Sequence, residues 1–274
     1  MTYGEVHGDL HYLANGTTVR PKMGSREFFE QADSVFYRWN AALHTPEAPF
    51  GRIYDYEQYR GKSVLEIGCG MGCMAMNWAQ RGAHIIAADL NPLAVEQTRR
   101  RFRLFGLRGE VLEADARRLP FADEAFSFVY SWGVLHHSPR IEDSIAECRR
   151  VLKRGGRLGI MLYNRRSLLY RYLVEHVEGR LNMERAFLTP LELASRYTDG
   201  HRHEGNPHTW PVTTREARAL LSAFEDVHVR VLGSDVRDVL NTMCPLLGDL
   251  LPRRGLEALA RRWGWSLWIT AARP

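Results

Sequence analysis

The stretch VLEIGCGMG, residues 64–72, decides the fold class of this chain. Its apolar first half predicts a buried β-strand. The glycines that follow, Gly68, Gly70 and Gly72, allow the backbone to pass close to a ligand. Residues 74–80 can form a helix, so the turn would place a helix N-terminus beside that ligand. A strand, a glycine turn and a helix in this order predict a nucleotide-binding unit at the carboxyl edge of a parallel sheet.

The spacing of the glycines separates two kinds of nucleotide cofactor. Dinucleotide sites carry G-x-G-x-x-G, whereas this chain has G-x-G-x-G, with Cys73 where the third glycine of that fingerprint would fall. Glu66 lies two residues before the first glycine, at the end of the predicted strand. Its carboxylate would repel a pyrophosphate and attract a cationic ligand. S-adenosylmethionine (SAM), with its ammonium and sulfonium groups, therefore fits the turn better than NAD(P), the cofactor of the alternative interpretation as a dehydrogenase.

A second acid supports the same site. Asp89 ends a predicted second strand, 21 residues after Gly68, where α/β nucleotide sites place the carboxylate that binds the ribose hydroxyls. With these residues the sequence resembles the class I SAM-dependent methyltransferases, whose first motif is E/D-x-G-x-G-x-G. The resemblance implies that Asp115 bonds the adenine amino group, although Asp is also common in turns. The predicted cofactor-binding residues are Glu66, Gly68, Cys69, Gly70, Gly72, Asp89, Leu90, Asp115, Ala116, Ser131 and Trp132.

Further motifs follow in the order of that family. Residues 119–127 resemble its L-P-F-x-D-x-x-F-D segment, with a departure at Ser127, where the family usually has Asp. The V-L-H-H sequence at residues 134–137 is common in the subgroup that resembles the ubiquinone and menaquinone C-methyltransferases, the methyltransferase type 11 subgroup. The match covers about residues 61–163. It implies an α/β fold, a Rossmann-like methyltransferase sheet of seven strands in the order 3-2-1-4-5-7-6, with the last strand antiparallel.

The candidates for catalysis come from the chemistry that the resemblance implies. Methyl transfer from SAM is an SN2 displacement, which needs an aligned nucleophile and the exclusion of water. A general base is needed only where the nucleophile holds a proton at neutral pH. His136, His137 and Tyr163 lie at the carboxyl ends of the predicted fourth and fifth strands, near the methyl group in this fold, so we predict them as catalytic residues. The two histidines could equally bond loop carbonyls.

The domain organisation follows from where the motifs begin and end. Residues 1–60 are predicted to form an N-terminal helical lid. Its helix at 25–40 is amphipathic, with an apolar stripe formed by Phe28, Phe29, Ala32, Phe36 and Trp39, and could instead cover an open face of the sheet. Residues 61–274 are predicted to form the SAM-binding domain, with substrate-side insertions at about 164–211 and 235–262. Within this domain we expect a turn at residues 153–156 and helices at residues 167–176 and 213–224.

The lid and the first insertion supply the candidate substrate contacts. A loop as long as residues 197–211 is uncommon without a function. Its histidines and Glu204 could in principle bind zinc, but their spacing matches no recognised finger, so we predict no metal. The predicted substrate residues are Tyr37, His201, His203, His208 and Trp210.

Composition limits the partners. The formal net charge is +5, and 34 of the 37 basic residues are Arg, a bias that more often reflects genome base composition than nucleic-acid binding. The basic run at residues 99–103 is expected to be a solvated helix face. Four cysteines give no disulfide framework, no apolar run is long enough to span a membrane, and no secretory signal is visible. We therefore expect a cytoplasmic protein that binds no nucleic acid, with the leucine-rich second insertion as one candidate homodimer contact.

These observations predict a SAM-dependent methyltransferase that acts on a small-molecule acceptor and releases S-adenosylhomocysteine. Because fold does not fix function, the alternative is a SAM-binding protein of the same fold with a non-methylating role, as a cyclase, a decarboxylase or a partner subunit. The Arg, His and aromatic content of the insertions suits a small acidic or aromatic acceptor.

Overall fold

A computed structural model describes residues 21–198, 208–233 and 235–274 of the chain. The predicted substrate residues His201 and His203 lie outside these ranges. Within them, the sheet has seven strands in the order β3-β2-β1-β4-β5-β7-β6, which confirms the predicted order. The strands are β1 (Ser63–Ile67), β2 (His84–Asp89), β3 (Glu110–Glu113), β4 (Phe126–Trp132), β5 (Leu152–Tyr163), β6 (Glu225–Leu232) and β7 (Ser266–Ala272).

Helices connect the strands of the described residues. They are α1 (Arg26–Trp39), α2 (Cys73–Gln80), α3 (Pro92–Leu104), α4 (Ile141–Val151), α5 (Pro190–Tyr197), α6 (Thr214–Leu220), α7 (Val236–Met243), α8 (Leu247–Leu250) and α9 (Arg253–Trp263). A π-helical segment, Tyr170–Leu181, precedes α5. None of these helices is both long and apolar enough to cross a membrane.

The pairing of the strands places the predicted motifs at one edge. β1 pairs in parallel with β2 and β4, so that Leu65 stands opposite both Ile86 and Val129. β7 runs antiparallel to β5 and β6, as predicted. Because β1, β2 and β4 are parallel, their carboxyl ends, which carry Glu66 and Asp89, meet at the same edge of the sheet.

The described residues fall into two compact units. The first comprises residues 21–131 and 150–156, and the second comprises residues 132–149 together with the described residues from 157 onward. In the first unit, Trp78 of α2 is the centre of a buried aromatic cluster formed with Tyr54, Tyr56, Tyr59, Phe128 and Tyr130. The three tyrosines before β1 therefore belong to the core. The predicted boundary of a lid at residue 60 stays a prediction.

Helix α1 begins and ends as its sequence predicts. The Ser25 hydroxyl caps it by accepting from Phe28 N at 3.2 Å. Phe28, Phe29 and Ala32 of the predicted apolar stripe are buried, but Trp39 is 45% exposed. The buried part of the stripe therefore ends before Trp39.

Other segments differ from the prediction in extent. The predicted turn at residues 153–156 belongs to β5, which begins at Leu152. The helix predicted at 167–176 is mainly the π-helical segment, which ends five residues later. The helix predicted at 213–224 ends at Leu220, although its Thr213 cap forms the expected capping box with Glu216. These differences lie outside the glycine turn and leave the strand order unchanged.

Candidate active site

The glycine turn at the end of β1 has the geometry that glycine alone adopts without strain. Gly68, Gly70 and Gly72 have φ of 81°, 52° and 76°, in the left-handed region. The N–H groups of Gly68 and Cys69 both donate to the Ala88 carbonyl, at 2.7 and 3.1 Å. This fixes the turn to the end of β2. Gly72 then begins α2 without a side-chain cap, so the first N–H groups of that helix point toward the turn.

Glu66 lies directly before this turn and is 3% exposed. Its Oε2 atom has no hydrogen-bond partner among the described residues. Burial raises the pKa of Glu66 to about 8. A buried carboxyl oxygen without a partner is costly, and a cationic group would both satisfy it and stabilise its charged form.

Asp89 has two roles at the edge of the sheet. Its Oδ2 accepts from Gly70 N at 2.8 Å and its Oδ1 accepts from Asn91 N at 2.9 Å. It therefore orients the glycine turn. Each carboxylate oxygen has a second lone pair, which leaves capacity for the ribose hydroxyls that the sequence assigned to it. Burial raises the pKa of Asp89.

Asp115 is held by a neighbour in this structure. Arg117 forms a bidentate ion pair with it, with Nη2 to Oδ2 at 2.5 Å, and this hydrogen bonding lowers the pKa of Asp115. Both side chains are about one-third exposed. Because a partly exposed pair contributes little to stability, an adenine amino group could replace the arginine. Ala116, between the two, is half-buried.

The remaining predicted cofactor residues differ in role. Ser131 is buried and donates from Oγ to the Ile67 carbonyl at 2.9 Å, so it joins β4 to β1. Cys69 packs its thiol 3.6 Å from Thr98 Oγ1, and burial raises its pKa. Leu90 is 63% exposed. Trp132 belongs to the second unit, where its ring lies 5.8 Å from that of Trp268.

Arg101 is a residue of this site that the sequence analysis missed. The basic run 99–103 was expected to be solvated, which is wrong for Arg101, because that side chain is fully buried. It forms an ion pair with Asp33 of α1 and donates to the Met71 carbonyl in the glycine turn at 2.8 Å. One guanidinium thus joins the N-terminal helix to the turn.

Tyr37, predicted as a substrate contact, packs in the first unit. Its hydroxyl accepts from Asn77 Nδ2 of α2 at 2.8 Å. Its ring meets His44 edge-on at 5.5 Å. Burial raises the pKa of Tyr37 far above its usual value. The contacts of this tyrosine connect α1 to α2, and its role toward a substrate stays a prediction.

In the second unit, the three predicted catalytic residues form one cluster. The His136 and Tyr163 ring centroids are 3.7 Å apart, and those of His136 and His137 are 4.2 Å apart. His136 is fully buried, and neither ring nitrogen has a hydrogen-bond partner among the described residues. Burial lowers the pKa of His136 well below its usual value. It is therefore a neutral ring at physiological pH.

Two predicted substrate residues join this cluster through backbone hydrogen bonds. The His137 Nδ1 atom lies 2.9 Å from the His208 carbonyl oxygen. Trp210 N donates to the His136 carbonyl at 2.8 Å, and Val212 N donates to the Tyr163 carbonyl at 2.8 Å. Residues 208–212 are thus fixed along both histidines and the end of β5. Trp210 itself is 37% exposed.

Two oxygens lie near His137 Nδ1: the His208 carbonyl oxygen at 2.9 Å and Thr209 Oγ1 at 3.2 Å. A hydroxyl can donate or accept, whereas a carbonyl oxygen only accepts, so the pair favours a proton on Nδ1 of the neutral ring and Nε2 in the acceptor form. This is the form in which an imidazole can take a proton from a bound molecule. His136 makes no hydrogen bond of normal geometry with the described residues, and the nearby Met161 backbone only partly offsets the lowering of its pKa by burial. Its main contacts are those of a packed ring.

Comparison with known proteins identifies the class to which this geometry belongs. The family model described as "Methyltransferase domain" matches residues 65–160, which include the glycine turn, Asp89 and Asp115. A sterol 24-C-methyltransferase of Gibberella zeae is 28% identical over 50% of this chain and 40% of its own length. A ubiquinone biosynthesis O-methyltransferase of Hahella chejuensis is 33% identical over 49% of this chain and 60% of its own length.

A solved structure shares the fold. The SAM-dependent methyltransferase from Methanosarcina mazei superposes with a TM-score of 0.53 at 20% identity, covering 80% of this chain and 94% of that chain. Residues 65–160 are thus a methyltransferase domain, of the class I SAM-dependent subgroup that the sequence resembles. The predicted cofactor, SAM, is the cofactor of that class. The chain spans 40% and 60% of the length of these two curated relatives.

Proposed function

We propose that this chain transfers the methyl group of SAM to a small-molecule acceptor. The observation that carries the proposal is the unpartnered, buried Oε2 of Glu66 beside a glycine turn of left-handed residues. When bound, SAM supplies an electrophilic methyl on a sulfonium, which leaves as the thioether S-adenosylhomocysteine when a nucleophile attacks the methyl carbon. The ammonium of SAM is the cation that Glu66 would pair with.

The first unit would hold the rest of the cofactor. Asp89 is already oriented by Gly70 N and Asn91 N, and its remaining lone pairs suit the ribose hydroxyls. Asp115 would accept from the adenine amino group after Arg117 turns away. The pair is exposed enough that this exchange costs about 1 kcal/mol or less. The three acids thus divide between the ammonium, the ribose and the base.

For an acceptor that holds a proton at neutral pH, we propose His137 as the general base. Its Nδ1 hydrogen bond to the His208 carbonyl supports this role, because it leaves Nε2 as the acceptor. His136 and Tyr163 would shape the surrounding wall as stacked rings. Such a base contributes roughly a hundredfold or more to rate. An acceptor without such a proton would need no base.

The acceptor class rests on relatives and composition. The two curated relatives are named for a sterol and for ubiquinone biosynthesis, which supports a small organic acceptor for this chain as well. The homodimer and the cytoplasmic location remain predictions.

The test begins with binding and then measures turnover. Calorimetric titration should give micromolar binding of SAM and of S-adenosylhomocysteine, with no heat from NADH. Release of S-adenosylhomocysteine is then measured across a panel of phenols, carboxylic acids, quinol precursors and sterols. Methylated product from at least one acceptor supports the proposal. Firm SAM binding without methylation of any acceptor favours the non-methylating role, and NADH binding without SAM binding overturns the cofactor assignment.

A further inference from the structure

We propose that a cleft on the outer face of the π-helical segment binds a small anionic molecule with an aromatic body. The cleft has a volume of about 400 Å³ and lies wholly in the second unit. That volume falls within the range of small-molecule pockets, about 300–1,000 Å³. None of the residues predicted to bind SAM or to take part in catalysis lines it.

The charge of the cleft is strongly positive. Arg166, Arg171 and Arg180 line it, and their guanidinium groups form no hydrogen bond or ion pair with the described residues. By contrast, Arg196 outside the cleft is paired, with Glu184 at 3.1 Å. Among the lining residues only Glu175 is acidic. Three guanidinium groups against one carboxylate favour an anionic ligand. Each guanidinium can bind a carboxylate or a phosphate through two N–H groups at once.

The unusual helix geometry explains how the arginines come to share one face. Arg171 and Arg180 are nine residues apart, which is two and a half turns of an α-helix with 3.6 residues per turn, so an α-helix would place them on opposite sides. A helix closed by i→i+5 bonds has roughly four and a half residues per turn, so nine residues make two turns. Burial agrees with this spacing, because Tyr170, Val174 and Gly179 are the buried residues of the segment.

The opposite face explains why that geometry is kept. Tyr170 and Val174 belong to a buried cluster with Leu193 and Ala194 of α5. A Cβ at Gly179 would lie 2.9 Å from Arg185 Cγ, so the segment packs closely there. The π-helical spacing therefore buries one face and turns Arg171, His176 and Arg180 toward the cleft together.

Aromatic side chains form the walls beside the arginines. The Tyr172 ring stacks on His176 with the centroids 6.0 Å apart and an interplanar angle of 27°. Half-buried Trp263, at the end of α9, and Leu168 complete the apolar surface. Flat rings next to guanidinium groups fit a ligand that combines a planar apolar body with an anionic group.

The experiment uses phenyl phosphate, phenol and inorganic phosphate as probes of the full chain by calorimetry. We expect phenyl phosphate to bind, inorganic phosphate to bind at least tenfold more weakly, and phenol to give no measurable heat. The double variant Arg171→Gln/Arg180→Gln should lose at least tenfold in affinity for phenyl phosphate. The matched control is Arg254→Gln/Arg261→Gln, which removes the same charge from exposed positions of α9 outside the cleft.

The outcomes separate this proposal from the proposed function. Both double variants should bind SAM as the unmodified chain does, because none of the predicted cofactor residues lines the cleft. The cleft proposal is overturned if phenyl phosphate does not bind, or if the two double variants weaken it equally. If the unmodified chain does not bind SAM, that result counts against the methyltransferase proposal and leaves the cleft result unaffected.

Discussion

Arg101 joins Asp33 of helix α1 to the carbonyl oxygen of Met71 in the glycine turn. Both side chains are almost fully buried, and the guanidinium also lies 5.0 Å above the Phe29 ring. The Arg101 side chain thus connects α1 to the glycine turn. Asp33 lies on α1 and not in the turn, yet a change in its side chain should alter the geometry of the cofactor site through Arg101.

The variant Asp33→Asn should therefore lower both stability and SAM affinity. Removing one partner of a buried ion pair leaves an uncompensated charge, which costs about 3–5 kcal/mol. Urea unfolding measures the first effect and calorimetry with SAM the second. The control is Glu30→Gln on the same helix, whose 3.8 Å contact with Arg26 is more than half exposed, so its cost should be below about 1 kcal/mol. Equal losses in the two variants would contradict a special role for the buried pair.

SAM affinity should rise with pH between about 6 and 8. The pKa of Glu66 is raised to about 8 in the free protein, so its carboxyl is mostly protonated at pH 7. An ammonium beside it favours the charged form, so binding releases a proton and becomes tighter as pH rises toward that pKa. Calorimetry at pH 7 in two buffers of different ionisation enthalpy measures the released proton. Glu66→Gln should bind SAM at least tenfold more weakly and release no proton.

The Glu66 carboxyl should also make the stability of the free protein fall as pH rises, whereas the SAM affinity rises. Because the folded-state pKa of Glu66 is raised, its contribution is fully present below the usual pKa of a glutamic acid and is lost as pH rises through about 8. Glu66→Gln, which cannot ionise, should raise the Tm more at pH 8.5 than at pH 5. A Tm difference that does not change with pH would show that Glu66 ionises no differently in the folded protein.

The local signals in the sequence were sufficient for the cofactor turn. Glu66 and the glycines are contiguous, and their chemistry depends on a strand, a turn and a helix that residues 64–80 specify themselves. The strand order came from the family resemblance. Arg101 could not be found in this way, because its burial depends on Asp33, which is 68 positions away in the sequence. The ion pair between Asp115 and Arg117 could have been predicted, because the two residues are only two positions apart in the sequence.

The first insertion shows a different limit. The sequence predicted an α-helix at 167–176, and the chain instead forms a π-helical segment to Leu181. Its buried residues Tyr170, Val174 and Gly179 are spaced by four and then five, which does not fit 3.6 residues per turn. Because Gly179 carries no apolar side chain, the sequence shows only two of the three buried positions, and the spacing of the π-helical segment cannot be recognised from them.

Gly72→Ala should lower the free energy of unfolding by more than the positive φ at this position alone would cause. The left-handed backbone at Gly72 costs an L-residue about 1–2 kcal/mol, and the new Cβ would lie 2.8 Å from Thr98 Cγ2. Overpacking adds about 1–3 kcal/mol. The matched control is Gly106→Ala, which has a φ of 64° and no atom within 4 Å of its Cβ. The difference between their free energies of unfolding measures the Thr98 contact, and a difference near zero would show that Thr98 moves aside without cost.

His136 and His137 should respond differently to replacement once an acceptor with a transferable proton is found. His137→Gln removes the proposed base, so kcat should fall by roughly a hundredfold or more. His136→Phe keeps a ring against Tyr163, 3.7 Å away, and removes two nitrogens that have no partner among the described residues. Because a buried polar atom without a partner is costly, this variant should be at least as stable as the original chain.

The pair of variants also decides between the two histidines. The kcat of His136→Phe should stay within about threefold of the original, since the packed ring shape is preserved while no proton is accepted there. If kcat falls by roughly a hundredfold in His136→Phe and is unchanged in His137→Gln, the base is His136, and the hydrogen bond from His137 Nδ1 to the His208 carbonyl then only anchors the loop. Unchanged turnover in both variants removes the pair from the chemistry. The acceptor would then react without a protein base, as a nucleophile that carries no proton at neutral pH does.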